Sequence, residues 1–362
     1  MIPIAKPIIT ETEKENVLEV MDSGILAMGE YVSRFEKNFC SFLGTEQGIA
    51  TVNGTSALHV ALKAAGIKKD DRVLTTPFTF IGSTNAILYC DAQPVFVDVC
   101  PDTFNIDPDL IAARLRKDPG IKALLIVHLY GLSCDMEKIK ELVTDYNLIL
   151  IEDCAQAHGA EYKGQKVGNF GDVGVFSFYP TKNITASEGG MVVTGNQKIA
   201  EKCRLLINHG SVNPYQHEIM GYNYRMTNIE AAIGLAQLEK IEKFNQARKE
   251  NARFLSENLG KLDWLETPCY QEEFEHVFHL YTVKVKYREK LAHYLQQHQI
   301  GYGIYYPLAV YQQPLYQRMG YGNLNLPVTE KLTKQVISLP VHPALSKNDL
   351  EKIVEVVANF SG

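Results

Sequence analysis

Leu148-Ile149-Leu150-Ile151-Glu152-Asp153 runs four apolar residues straight into two carboxylates. Consecutive apolar side chains on an extended chain point to both faces, which suits a strand covered by helices on each side. Three more short runs repeat the pattern at crossover spacing: Arg72–Thr75, Pro94–Val97 and Ala123–Val127. Any one of them also reads as a turn of buried helix. Four in series, with helical or loop segments between them, imply an α/β domain built on a mostly parallel sheet. Open α/β sheets bind ligands beyond the carboxyl ends of their strands, so one of the two acids is expected there. Asp153 suits a cationic ring nitrogen that must stay protonated; it suits a helix N-cap equally well.

Moving outward, Thr10 and Glu13 have capping-box spacing and predict a helix through Val20. Asn53-Gly54-Thr55-Ser56 precedes a strongly helical stretch, Ala57–Ala65. From Thr227 to about Leu259 the pattern predicts one long helix, small and apolar at first and charged later. Such a helix bridges two units, and the boundary is placed within it: a large α/β domain over 1–240 and a smaller α+β domain over 241–362. In the second, Val277–Lys286 reads as a strand, and Arg288–Gln299 and Asp349–Phe360 read as helices.

Composition narrows the function classes. The chain has 362 residues, with 36 Lys+Arg against 42 Asp+Glu, a net charge of −6. That balance gives no broad polyanion-binding face, so no nucleic-acid partner is expected, though a local basic pocket for a phosphorylated ligand remains open. Seven scattered cysteines without a CxxC pair suggest reduced thiols. Met1–Pro7 lacks the apolar run of a signal peptide, and no apolar stretch approaches the roughly 20 residues that span a bilayer. A cytoplasmic protein without membrane contact is expected.

Two further segments carry chemistry. Val175-Phe176-Ser177-Phe178-Tyr179-Pro180-Thr181-Lys182-Asn183 leads to Glu188-Gly189-Gly190 and a second apolar run. It sets Lys182 in a turn with little local charge. A desolvated lysine holds its proton less tightly and can form a Schiff base. Most lysines are solvated surface charges; Ser177, Thr181 and the glycine pair distinguish this one. Gly54, Thr55 and Ser56 at a helix start offer N–H groups and hydroxyls as a phosphate seat, although an ordinary N-cap explains the hydroxyls too. His158 and His209 have no second ligand at metal spacing, so no metal site is expected, and hydrogen bonding is the reading for both.

The ordered set of these segments resembles the sugar aminotransferases of the DegT/DnrJ/EryC1/StrS family, with the type I, aspartate-aminotransferase-like fold. The likeness runs over nearly the whole chain. It covers Ser23-Gly24 to Gly29, Pro77-Phe78-Thr79-Phe80, Glu152-Asp153-Cys154-Ala155-Gln156-Ala157-His158, Ser177 to Asn183, Asn208-His209-Gly210, Gly221 to Met226 and Tyr305-Tyr306-Pro307. It implies pyridoxal 5'-phosphate as cofactor, with pyridoxamine phosphate formed in turnover. It also implies L-glutamate and 2-oxoglutarate as donor pair, a nucleotide-linked keto-sugar as acceptor, and a homodimer with shared sites. By the same likeness Lys182 carries the cofactor and moves the proton, Asp153 meets the pyridine nitrogen, Gln156 lies near the ring, and Phe80 stacks on it. Gly54, Thr55, Ser56 and Ser177 hold the phosphate, and Asn223 reaches it or the substrate across the dimer. Arg225, Tyr305 and His158 are expected to meet the substrate. Without the likeness, Phe80 reads as core and Arg225 as a surface ion pair.

Family members often have histidines where this chain reads Tyr305-Tyr306-Pro307-Leu308-Ala309-Val310-Tyr311. Relatives that replace the lysine by histidine dehydrate the sugar, and Lys182 argues against that branch. A cofactor-binding regulator on the same fold is the other alternative. Glu188 before the glycine pair leans toward amination at the sugar's C4.

Overall fold

The structure, a computed structural model, describes residues 1–269 and 273–361. Seven strands form the central sheet: β1 (Gln47–Thr51), β2 (Arg72–Thr75), β3 (Gln93–Phe96), β4 (Ile121–Val127), β5 (Ile149–Asp153), β6 (Val173–Ser177) and β7 (Gly190–Thr194). Their spatial order is β1-β7-β6-β5-β4-β2-β3. β7 alone runs against the direction of the other six strands. The four runs predicted from sequence are strands β2 to β5, with bounds shifted by up to two residues.

Strand alternation sorts the core into layers. Val73, Leu125, Ile151 and Val175 pack with the helices α3 (Gly54–Ala64), α4 (Ile81–Leu88) and Gln197–Ile207 on one face. Leu74, Leu124 and Leu150 pack on the opposite face with Ile111, Met136 and Ile139. Phe176, Met191 and Val193 on that face meet the aromatic residues Phe35 and Phe39. Both faces are dry, as unbroken apolar runs require. The edge strand β1 is protected by side chains: Glu36 accepts from Ala50 N at 2.8 Å, and Arg204 donates to Gly48 O at 3.1 Å. An occupied edge does not template another strand.

The predicted N-terminal helix is present over Glu11–Ser23, and Thr10 N donates to Glu13 Oε2 at 2.8 Å. The long helix predicted over 227–259 is instead two, Asn228–Leu238 and Ile241–Leu259. The junction residue Lys240 leaves the helical register at ψ −2°. Its ammonium donates to Glu13 Oε1 and Thr10 Oγ1, both at 2.6 Å. Gln237 adds a 2.5 Å hydrogen bond to the same carboxylate oxygen. A buried acid on another helix holds the break, which local propensity does not encode.

Beyond it, Leu265–Glu266, Tyr281–Val285 and Val336–Leu339 form a second, antiparallel sheet. Helices Arg288–Gln297 and Lys347–Ala358 complete a separate apolar cluster that also takes in Ile2. Asp98, just past β3, ties the two sheets together. Its carboxylate accepts from Val328 N, Thr329 N and Thr329 Oγ1 at 2.6–2.9 Å, capping the helix Pro327–Gln335 from outside.

Candidate active site

Position 153 is the last of β5, so the alternation that puts Ile151 on the α3/α4 face puts Asp153 there too. The acid is 3 % exposed. Ser83, in the first turn of α4, donates to Asp153 Oδ2 at 2.7 Å, and Ala155 N donates to Oδ1 at 3.1 Å. Thr79 Oγ1 lies 3.0 Å from Ser83 Oγ. Ser83 has one proton, already given to the acid, so Thr79 is the donor in a relay Thr79→Ser83→Asp153. Burial raises the Asp153 pKa, opposed by the Ser83 and Ala155 hydrogen bonds and by the charge of Lys182.

Lys182 stands in the turn between β6 and β7, its N–H bonded to Tyr179 O at 2.9 Å. Its side chain is half-buried. Removal from water brings its pKa down to about 8, with Asp153 pulling the other way. The strand that Asp153 closes pairs directly with β6, which leads into the Lys182 turn, and with its pKa at about 8 a share of the amine is an unprotonated nucleophile just above neutral pH.

At the start of α3, Asn53 Oδ1 accepts from Ser56 N at 2.8 Å. The N–H groups of Gly54 and Thr55 are left without intrahelical partners. A Cβ on Gly54 would lie 2.7 Å from Ser177 Cβ. Glycine at 54 thus lets the helix start close on Ser177 at the end of β6. Gly190 has the same origin: a Cβ there would meet Asn53 O at 2.5 Å.

The other expected residues, His158 apart, fall into two groups. Phe80 caps α4 at its N-terminus with its ring 57 % exposed, 6.4 Å from the Tyr306 ring. Gln156 is buried, taking Tyr130 N at 2.8 Å and giving its amide to Tyr306 Oη at 3.2 Å. Tyr305 is half-buried, and its carbonyl accepts from the Tyr130 hydroxyl. These three surround the end of β5. Asn223 is exposed and bridges Asn208 through the backbone, while Arg225 Nη1 donates to Asn208 Oδ1 at 2.8 Å. Arg225 also bridges Thr51, at the end of β1. Arg225 thus lies beside the start of α3, just past β1.

His158 is a correction. It is fully buried between the rings of Phe176 and Phe178, at 5.4 and 5.6 Å, and neither ring nitrogen has a partner at hydrogen-bond geometry. Burial, then the charge of Lys182, brings its pKa down to about 3. A neutral imidazole enclosed this way packs the wall behind Lys182 and does not meet a substrate. His209 is exposed on the loop.

Ser83, Thr79 and Tyr306 were missed. Ser83 and Thr79 lie one helical turn apart in Thr79-Phe80-Ile81-Gly82-Ser83, a spacing that could have marked them once Asp153 was in hand. His128, Glu152 and Cys154 place ligand-type atoms within 4.8 Å of one another. Each Glu152 oxygen already accepts two hydrogen bonds, from His128 Nε2 and Gly168 N and from Phe170 N and Gly171 N, at 2.7–3.1 Å. That trio is a hydrogen-bonded support for the 168–171 loop.

Comparison with known proteins places this geometry. The signature described as the DegT/DnrJ/EryC1/StrS aminotransferase family matches residues 7–358. A GDP-perosamine synthase of Escherichia coli O157:H7 is 39 % identical over 369 residues, covering 99 % of this chain and 98 % of that one. A "pleiotropic regulatory protein" of Geobacillus stearothermophilus is 39 % identical over 347 residues, covering 94 % and 92 %. Among solved structures, NtdA of Bacillus subtilis with bound cofactor PMP superposes with a TM-score of 0.89 at 31 % identity, covering 97 % of this chain and 82 % of that one. Sheet order, site and comparisons agree: the chain belongs to the DegT/DnrJ/EryC1/StrS aminotransferase family.

Proposed function

We propose that the protein uses pyridoxal phosphate to move an amino group from an amino acid, L-glutamate, to the keto group of a nucleotide-linked deoxysugar at C4. The observation that carries this is a half-buried lysine in the turn after β6 and a buried acid closing the neighbouring strand β5, both at the carboxyl end of the sheet. The donor set suits that cofactor: an amine to bond it, an acid for its ring nitrogen, and free helix-start N–H groups with hydroxyls for its phosphate. The bound ring supplies an electron sink for the carbon from which a proton is taken.

The chain's own residues do the rest. Lys182 would hold the cofactor and move the proton. Asp153, ionised and oriented by Ser83, holds the ring nitrogen's proton. Gln156 would lie near the cofactor ring, and the exposed Phe80 would stack on it. Gly54, Thr55, Ser56 and Ser177 hold the phosphate. Asn223 and Arg225 serve the site of a second copy in a homodimer. Support for pairing comes from apolar side chains left in water on the adjoining segments, with Ile25 60 % and Met220 82 % exposed. Tyr305 lies on the substrate side. The choice of C4 rests on Glu188, which is exposed before Gly189-Gly190. The division into units at 240 belongs to the same reading, supported by the helix break and the separate C-terminal core. A cytoplasmic setting fits seven unpaired cysteines, and among the described residues no helix is long and apolar enough to cross a membrane.

A regulator that binds the cofactor without turnover is the second reading, prompted by the name of the Geobacillus relative. One titration separates the two. The purified protein with pyridoxal phosphate is expected to absorb visible light through its bond to Lys182, to lose that absorbance with L-glutamate, and to regain it with a nucleotide keto-sugar. Lys182→Ala is expected to lose at least 1000-fold in rate, the scale of removing a covalent catalyst. Full turnover by Lys182→Ala rules out the assignment, and absorbance insensitive to every amino acid favours the regulator.

A further inference from the structure

The segment between β6 and β7, residues 178–189, is long for a strand connection and carries Lys182 near its middle. A connection of that length does not hold one side chain still through its backbone alone, so the place of the amine depends on what anchors the segment. Next to the lysine, Asn183 is 3 % exposed. Its Nδ2 donates to Asn245 Oδ1 at 2.8 Å and to the carbonyl of Val277 at 3.0 Å. Asn245, buried on the helix Ile241–Leu259, passes the bond on: its own Nδ2 donates to His158 O at 2.8 Å.

Backbone carbonyls fix the direction of both amides. Turning Asn183 over sets its Oδ1 against Val277 O, and turning Asn245 over sets its Oδ1 against His158 O; two acceptors do not pair. The order is therefore Asn183→Asn245→His158. The turn after β5 is shaped for this contact, because Gly159 has φ +80° and a Cβ there would lie 3.1 Å from Asn245 Nδ2. One turn further along the helix, the buried Arg248 donates through Nη1 to Phe278 O and His279 O, each at 3.2 Å, and so holds the segment whose Val277 carbonyl serves Asn183. A single helix side chain thus reaches both the segment that carries Lys182 and the segment that leaves Asp153. Stability is a poor reason for the pair: Asn183 Oδ1 is buried with no partner, and an open buried acceptor works against folding.

We propose that Asn183 and Asn245 are positioning residues, whose paired amides fix the Lys182 turn against the turn after β5 and so keep the amine in register with Asp153. Neither meets the reacting atoms; both act through Lys182, and the inference rests on the reading of Lys182 as the residue that bonds the cofactor. It also gives the helix break a purpose, since Lys240, held by Glu13, sets where the helix bearing Asn245 begins.

Visible circular dichroism of the holoenzyme, which arises only where the surroundings hold the bound ring in one asymmetric arrangement, tests this beside single turnovers with L-glutamate. Asn183→Ala and Asn245→Ala are each expected to keep the visible absorbance per bound cofactor and to lose much of the dichroism. Each should slow the turnover about 10- to 100-fold, the scale of a small misplacement, with the KM for glutamate changed less than about threefold. The two losses should not multiply: the double variant is expected within about threefold of the slower single one. Asn251→Ala is the control, a buried asparagine of the same helix that donates to Val341 O and His342 O at 3.3 and 3.2 Å instead. It should lower the melting temperature and leave dichroism and rate unchanged. Should Asn245→Ala fail to fold, Asn183→Ser carries the same readouts. Folded variants at 183 and 245 with wild-type dichroism and rate, or with losses that Asn251→Ala reproduces, overturn the proposal, and losses that multiply in the double variant overturn the pairing. If the dichroism depends on both asparagines while no amino acid bleaches the absorbance, the positioning stands and the aminotransferase reading falls. If Lys182→Ala keeps the wild-type absorbance, the lysine reading falls and takes the positioning role with it.

Discussion

Ser83→Ala removes one hydroxyl and should retune the whole site. The Ser83 hydroxyl donates 2.7 Å to Asp153 Oδ2, leaving Ala155 N, at 3.1 Å on the other oxygen, as the remaining protein donor in hydrogen-bond contact. A hydrogen bond to a charged group contributes about 1.5–3 kcal/mol, and one pH unit corresponds to about 1.4 kcal/mol. Losing the serine should therefore raise the Asp153 pKa by about 1–2 units, on top of the rise that burial already imposes. The direction follows from which form works. In the proposed mechanism the ionised acid holds the ring nitrogen's proton, and a higher pKa means that form is lost earlier as pH falls. The acidic limb of the glutamate half-reaction should accordingly move up by about 1–2 pH units, read from cofactor absorbance in single turnovers across pH 5–9. The cofactor should also dissociate more readily. Ser83→Thr, which keeps the hydroxyl, should restore most of the wild-type profile, while Thr79→Val, one step back in the relay, should give a smaller shift of the same sign. A folded Ser83→Ala whose acidic limb coincides with the wild type would show that the serine is packing and nothing more.

Glu13 should show in stability instead. Burial alone would raise its pKa, but hydrogen bonds from Lys240, Thr10 and Gln237 outweigh that and bring it from 4.5 to about 2. The stabilisation is complete above the unfolded value of 4.5 and disappears as pH falls toward 2. By pH 3.5 about 1.4 kcal/mol should be gone. The gap in urea-unfolding free energy between wild type and Glu13→Gln should shrink by about that amount from pH 6 to 3.5, and a gap independent of pH would contradict the linkage. Glu152→Gln turns an amide NH₂ toward a site that now accepts four hydrogen bonds. It should cost on the order of 3–5 kcal/mol and lower the melting temperature, with near-normal turnover per folded molecule. A variant melting like the wild type would refute the support role.

The sheet was legible because burial on both faces leaves an unmistakable mark: Leu148–Ile151 and Ala123–Val127 have few soluble alternatives to a covered strand. The placement of Lys182 and Asp153 at the carboxyl end of the sheet was legible because each closes such a strand or lies in the turn after one. The break at 239–240 was not legible, because its cause is Glu13, more than 200 residues away in the chain. His158 was misplaced for a related reason. Its neighbours in sequence are site residues, but the turn after β5 aims its ring back between Phe176 and Phe178, which only the folded sheet brings there. Arg248 looked like one more charge on a charged helix face. Its burial depends on the 276–279 segment closing over it.

Glu152 and Asp153 show how far the bare sequence reaches and where it stops. Both are acids and both are buried, at 0 % and 3 % exposure. Neither propensity nor charge tells which one does chemistry. Strand alternation does, since consecutive side chains must point to opposite faces. Glu152 takes the face of Leu150, where three backbone N–H groups and His128 saturate it. Cys134 N donates to His128 Nδ1 at 3.0 Å, so Nε2 keeps the proton it gives to Glu152, and the ring needs no charge. Asp153 takes the face of α3 and α4, where it receives only two donors and so retains lone pairs for a guest. The saturated acid can only be structure, and the unsaturated one, beside a lysine that readily sheds its proton, is left able to act.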